Sequence, residues 1–325
     1  MKRHYRKPGE RCCKGYDNDM SEERVDILIV GGGPGGMSAL LWCHSLGLRG
    51  LLLEKQPQLG GQMLMMFHRI VDYAGLIAPD GSDLARRFVE HLQALQLAYN
   101  VMQPVVETDL KSLRIRTDKA WLGARAIIVA TGARKRRLGV PGEDRFDGAG
   151  VSFTATRDHP IFAGREVVIV GGGDSAFEGA LMLARVCPQV TLIHRGETFR
   201  ARAEWVREVR THPRIAIRTN TEVIAIEGEG APSRVLVEHN LTRAREAIPA
   251  QGVFVRLGMA PNTEIFAAEL ALDHAGYFLV DSRQKTSAKM VYAVGDACAG
   301  ISQSIASAVG QAAVAVKSIA SDFGI

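Results

Sequence analysis

Two short glycine-rich runs hold the residues whose types and spacing say most about chemistry. The first is GGGPGG at 31–36, with the spacing Gly31-x-Gly33-x-x-Gly36. It follows VDILIV (25–30), which reads as a short buried parallel strand, and precedes the apolar helix MSALLWCHSLGL. In that context Gly31 permits a tight turn and Gly33 lets the backbone approach a pyrophosphate. Gly36 lets helix and strand pack closely. The helix start then presents N–H groups and positive dipole to phosphates. A second strand, RGLLLEK, ends at Glu54, 23 residues after Gly31. A carboxylate there is placed to accept hydrogen bonds from both hydroxyls of an adenosine ribose.

The pattern returns 140 residues on. REVVIV (165–170) reads as a strand, GGGDSA (171–176) as the loop and FEGALMLARV as the helix, with the spacing Gly171-x-Gly173-x-x-Ala176. Here the following strand, QVTLI, ends in HRGETFR, so that His194 occupies the offset that Glu54 has in the first unit. A basic residue there tolerates a ribose 2′-phosphate that a carboxylate would repel, with Arg195 and Arg200 as its ligands. The first loop thus suits a dinucleotide with a free ribose and the second suits NADPH. Two such sites in one chain point to FAD paired with NAD(P)H, the flavin supplying hydride chemistry and the protein orientation and electrostatics.

The elements that must position these loops fit an α/β chain of 325 residues, long enough for two cores. Between the loops, 101–107, 111–116 and 120–130 alternate like a small sheet ending in AIIVATGA, and a turn-rich linker, RKRRLGVPGEDRFDGAGV, follows. After residue 258 come LGMAPNTEIF, a hairpin-like stretch, and a strand, loop and long helix within VYAVGDACAGISQSIASAVGQAAVAVKSIA. No apolar run reaches 18 residues, which speaks against a membrane span. The net charge is +5, and residues 1–19 contribute +3 of it. That segment reads as a basic tail, or as sequence ahead of a start at Met20. The cysteines, Cys12, Cys13, Cys43, Cys187 and Cys298, form neither a C-x-x-C pair nor a zinc spacing, and the cytoplasm is the expected compartment.

From 24 to 320 the sequence resembles the low-molecular-weight thioredoxin reductase-like flavoproteins, a group that includes the related ferredoxin/flavodoxin–NADP reductases. The resemblance rests on GGGPGG, GGQ (60–62), VATGA (129–133), VPGE (140–143), GGGDSA, HR…FRA (194–201), APNT (260–263) and GD (295–296). It implies two Rossmann-like domains. An FAD domain (20–135 and 259–325) would be split by an inserted NAD(P)H domain (136–258), with linkers near 134–141 and 258–262. It places FAD against Gly31, Gly33, Pro34, Gly35, Gly36, Glu54, Lys55, Gly61, Gln62, Thr131, Gly132 and Asp296. A helix start at Gln303, Ser304, Ile305 and Ala306 would lie against the flavin ring. It assigns the nicotinamide nucleotide to Gly171, Gly173, Asp174, Ser175, Ala176, His194, Arg195 and Arg200. Gly196 stands where a second arginine is usual, so NADH is the other candidate donor.

Thioredoxin reductases carry C-A-T-C-D just before the second loop. Aligning SFTATRD puts Thr154 and Arg157 at the two cysteine positions and Asp158 at the acid. Neither residue can form a disulfide. The leading expectation is therefore an FAD-dependent NAD(P)H oxidoreductase. A hydride would pass to flavin N5 and electrons would leave to an acidic ferredoxin- or flavodoxin-like carrier or to a small acceptor, with no amino acid named as catalytic. Arg134, Lys135, Arg136 and Arg137 are placed to steer such a carrier, or to solvate a linker. The alternatives are a disulfide reductase using a tail or partner cysteine, Cys12–Cys13 among the candidates, and a non-enzymatic flavin-binding sensor. A homodimer is expected from the resemblance. Neither a metal site nor nucleic-acid binding is, since Arg202, Arg207, Arg210, Arg214 and Arg218 read as a wet helix face.

Overall fold

The computed structural model describes residues 25–300 and 303–325. The segment 1–19, with Cys12 and Cys13, and Met20 lie outside the described residues. In chain order the elements begin with β1 (Val25–Val30), α1 (Pro34–Ser45), β2 (Gly50–Leu53), α2 (Gly81–Ala94) and β3 (Tyr99–Asn100). Next come β4 (Val105–Asp109), β5 (Arg114–Thr117), β6 (Trp121–Val129) and β7 (Ala133–Lys135). A second series follows: β8 (Val151–Ser152), α3 (Ala155–Asp158), β9 (Val167–Val170), α4 (Asp174–Ala184), β10 (Val190–Ile193), α5 (Ala203–Thr211) and β11 (Ile215–Arg218). The series continues through β12 (Thr221–Glu229), β13 (Ala231–His239), β14 (Arg245–Pro249) and β15 (Gly252–Val255). The chain ends with β16 (Met259–Pro261), β17 (Val291–Ala293) and α6 (Ile305–Phe323).

The first sheet has the order β3-β2-β1-β6-β5-β4, with β17 also on β6. β1 runs parallel to both β2 and β6, so Leu28 lies beside Leu51 on one side and Ile127 on the other. Buried on both faces, these strands are continuous apolar runs. One face is covered by α1, α2 and α6 through Met37, Leu40, Leu84, Ala312, Val316 and Ile319, and the other by Phe266, Leu270 and Phe278. Each of the larger side chains among them contributes about 2 kcal/mol of burial. The small residues of α6 let it lie close to α1: a side chain at Gly35 would touch the Ala308 methyl at 3.6 Å.

The second sheet, β11-β10-β9-β15-β8, repeats the plan. Phe177, Leu183 and Val209 from α4 and α5 pack on one face. Val223, Ile226, Val235 and Val237, from the antiparallel sheet β12-β13-β14, pack on the other. The chain crosses between the two sheets at β7 and β16, which pair antiparallel, with Met259 opposite Lys135 and Pro261 opposite Ala133.

Several expected boundaries differ. Residues 101–104 are not strand, and Met102 has φ +52. β9 begins at Val167 rather than at 165. The hairpin-like stretch after 266 is short: the Leu279 N–H donates to the Ala271 carbonyl and the Asp273 N–H to the Tyr277 carbonyl around an antiparallel Leu272–Phe278 bridge, and Lys285 bridges separately to Tyr292. Phe278 also bridges to Cys298, a contact that fixes its course from far along the chain.

Candidate functional site

The first loop takes its form from its glycines. Gly31 has φ +113, and a side chain there would lie 2.2 Å from the Ala130 carbonyl oxygen; one on Gly36 would lie 1.8 Å from that of Gly31. Gly33 is different, since a methyl group there would meet nothing within 4 Å. Gly33 also caps α1 without a side-chain hydrogen bond, and Pro34 opens the first turn. The open backbone and uncapped helix start together make a cradle of the kind a diphosphate fills. The Glu54 carboxylate, buried at the end of β2, accepts from the Gly32 N–H at 2.6 Å and the Gln56 N–H at 2.8 Å. It is thereby fixed beside the loop, with lone pairs left for ribose hydroxyls.

On the same side, Gln62 in a 3-10 turn (Gly61–Met65) donates its amide to Asp296 Oδ2 at 2.9 Å. Burial raises the Asp296 pKa, and the Gln62 hydrogen bond works against that shift. The Gly295 N–H donates to Gln311 on α6 at 2.6 Å. Ser304 caps α6 by accepting the Ser307 N–H, so Ile305 and Ala306 form its first turn. Thr131 and Asn262 clamp each other: Thr131 Oγ1 donates to the Asn262 carbonyl at 2.7 Å and the Asn262 amide to the Thr131 carbonyl at 2.8 Å. Glu264, close to the Lys55 charge, pairs with Arg134.

The second loop is built alike. A side chain at Gly173 would also meet nothing within 4 Å, and Gly173 caps α4 without a side-chain bond. His194 lies over Gly172, where an added Cβ would come within 2.2 Å of its ring, as one on Gly32 would come within 3.0 Å of Glu54. His194 Nε2 lies 3.0 Å from the Thr198 carbonyl oxygen, which assigns its proton to that nitrogen. The Arg200 N–H donates to the Gly172 carbonyl at 2.8 Å, closing the His194–Arg200 turn over the loop. The Asp174 carboxylate accepts from the Arg202 N–H at 2.8 Å. The side chains of Arg195 and Arg200 are exposed at the strand end.

In the segment carrying Thr154 and Arg157, Ser152 Oγ donates to Asp158 Oδ2 at 2.6 Å, and Arg157 grips both carboxylate oxygens at 2.5 and 2.8 Å. Burial works to raise the Asp158 pKa, but those hydrogen bonds outweigh it and hold the carboxyl below its usual range. The Arg157 guanidinium also lies 4.7 Å from the Phe67 ring centroid, bringing the second unit against the first just past the turn that carries Gln62. Lys135 Nζ donates to the Phe153 carbonyl and to Thr154 Oγ1. Cys43 and Cys298 are buried with thiols pushed up to about 12, and burial raises Cys187 to about 11.

The basic run 134–137 does not stand free as a steering patch would. Arg134 pairs with Glu264 and bonds Asn262, and Arg136 bonds the Met259 carbonyl. Arg137 meets Asp147 and Asp144 and lies over Phe153. These contacts anchor the crossing. The sequence reading missed Asn262 as a clamp and Arg256 as a neighbour of Thr154; both depend on pairings between β-segments more than 100 residues apart. No described helix is long and apolar enough to cross a membrane.

Two glycine cradles, each at the carboxyl end of a parallel sheet, define a protein with two dinucleotide sites. Residues 25–314 match the family described as pyridine nucleotide-disulphide oxidoreductase. A thioredoxin reductase of Treponema pallidum is 33% identical over 303 residues, covering 92% of this chain and 97% of that protein. A 34.2 kDa protein in a rubredoxin operon of Clostridium pasteurianum is 29% identical, covering 90% of this chain and 96% of that one. The crystal structure of Lactococcus lactis thioredoxin reductase in its FR conformation superposes with a TM-score of 0.75 at 29% identity, covering 92% of this chain and 98% of that one. The chain belongs to the pyridine nucleotide-disulphide oxidoreductase family. It is an FAD- and NAD(P)H-dependent oxidoreductase of the thioredoxin reductase type.

Proposed function

We propose that this enzyme carries electrons from NAD(P)H through FAD directly to a protein carrier of the ferredoxin or flavodoxin kind, or to a small acceptor, without a cysteine pair. The observation that carries this reading is the segment 152–158. Thr154 and Arg157 stand at the dithiol positions, while every described cysteine is buried with a raised thiol pKa. Bound flavin supplies two-electron exchange with the nicotinamide and electron release to an acceptor.

The chain's own residues divide the remaining tasks. The unit formed by 20–135 and 259–325 holds FAD: the Gly31–Gly36 loop takes the diphosphate, Glu54 the ribose, and Gln62 and Asp296 the region beside the ring. The α6 start at Gln303–Ala306 favours negative charge near it. The unit 136–258 holds the nicotinamide nucleotide on Gly171–Ala176, with His194, Arg195 and Arg200 at the 2′-position. The rubredoxin-operon relative gives rubredoxin as a further acceptor to try.

Alkylation tests the reading. With NADPH as donor and ferricyanide or a ferredoxin as acceptor, turnover should be unchanged after iodoacetamide treatment of the reduced enzyme. Loss of turnover in step with modification of Cys12 or Cys13 would instead establish a thiol route.

A further inference from the structure

Three cations converge around the backbone at Phe153 and Thr154 and outnumber the two carboxylates that act on them, Asp158 and Glu178. Lys135 and Arg256 both donate to the one Phe153 carbonyl, at 3.0 and 2.7 Å. Arg256 reaches on toward the Ser175 carbonyl in the first turn of α4. Arg157 is already spent on Asp158, which also accepts from Ser152, and the Glu178 carboxylate on α4 acts on Arg256 without a direct ion pair. Among the described residues neither Lys135 nor Arg256 forms an ion pair. Both are only partly exposed. Two half-buried cations sharing one neutral acceptor repel each other and are poorly solvated. Such an arrangement becomes favourable when an anion joins it.

We propose that Lys135 and Arg256, with the Thr154 hydroxyl and Arg157 beside them, form a subsite for the oxyanion of a small electron acceptor carrying a sulfonate, carboxylate or phosphate group. The inference rests on the reading that electrons leave without a dithiol, and it gives that acceptor a chemical class. Its place in the fold agrees. Arg157 touches Phe67, next to the turn that carries Gln62, and Arg256 touches the helix that carries the second loop.

The groups facing Lys135 set its pH behaviour. Burial, then the charges of Arg256 and Arg157, lower its pKa to about 8, and Asp158 pulls the other way. Lys135 is therefore a cation below that value and neutral above it, so the subsite should lose affinity for an anion as pH rises through about 8.

The test uses the FAD-loaded full chain and two quinones, anthraquinone-2-sulfonate and the neutral 2-(hydroxymethyl)anthraquinone. Binding is measured by equilibrium dialysis, and turnover by the reaction in which one NADPH and one proton reduce one quinone to its hydroquinone. The expected results are a sulfonate affinity that falls above pH 8, about a tenfold loss in Lys135→Met, and retention in Lys135→Arg with the pH dependence near 8 abolished. The neutral quinone should follow none of these changes. Equal responses of the two quinones, or sulfonate binding indifferent to pH and to Lys135→Met, would overturn the proposal, as would absence of sulfonate binding to the wild type. If Lys135→Met does not fold, Lys135→Arg and the wild-type pH profile decide. Flavin bleaching by NADPH is recorded on the same samples, so failure of electron entry is distinguished from failure of the anion subsite.

Discussion

At Gly36 an added methyl group would sit 1.8 Å from the Gly31 carbonyl oxygen, whereas at Gly33 it would meet no atom within 4 Å. Packing requires the first glycine; only a ligand requires the second. Gly36→Ala should therefore destabilise the flavin-free protein by about 1–3 kcal/mol, measured by urea denaturation. Gly33→Ala should leave that midpoint in place and weaken FAD binding in a fluorescence titration. The same scale explains nucleotide choice. His194 covers Gly172 much as Glu54 covers Gly32, and His194→Glu should shift kcat/KM from NADPH toward NADH by about tenfold. Lys135 gives a pH signature of its own. It titrates near 8 in the fold and near ~10.4 in the unfolded chain, so between those values the unfolded state binds more protons. Wild-type stability should then rise with pH relative to Lys135→Met across that window; melting temperatures of the pair at pH 7 to 10 check the sign.

Among the elements, those next to the two loops were legible because a buried parallel strand followed by a glycine turn and an apolar helix leaves a local record. VDILIV and REVVIV show it as unbroken apolar runs. The pairing of β7 with β16 left no such record, since its partners lie about 125 residues apart in the sequence. The hairpin-like stretch after 266 is present as a short antiparallel pairing of Leu272 with Phe278, but the second bridge, from Phe278 to Cys298, left no local record. Within the candidate site the glycines, Glu54 and His194 could be found from spacing. Arg256 and Asn262 could not, because their roles arise only where the chain crosses between units. Asn262 is the element-scale test. Its amide and carbonyl both hold Thr131, and Asn262→Ala should cost about 1–2 kcal/mol and speed FAD release, readable from flavin fluorescence during thermal unfolding.

The whole molecule places two nucleotide cradles on two sheets, joined by one two-stranded crossing and touching again at Arg157 and Phe67. The second unit carries Thr154, Arg157 and Arg256, and Lys135 reaches them from the first unit, so the nucleotide-binding body also carries most of the proposed acceptor subsite. The central claim is that this body delivers reducing equivalents to the flavin with no cysteine involved. The most direct measurement is an anaerobic titration of the FAD-loaded enzyme with NADPH, then NADH, following flavin absorbance before and after alkylation. The account predicts rapid bleaching at about one equivalent of NADPH per flavin, a weaker response to NADH, and no change on alkylation. FAD that stays oxidised in the presence of both nucleotides, or bleaching with extra equivalents that alkylation removes, would contradict it.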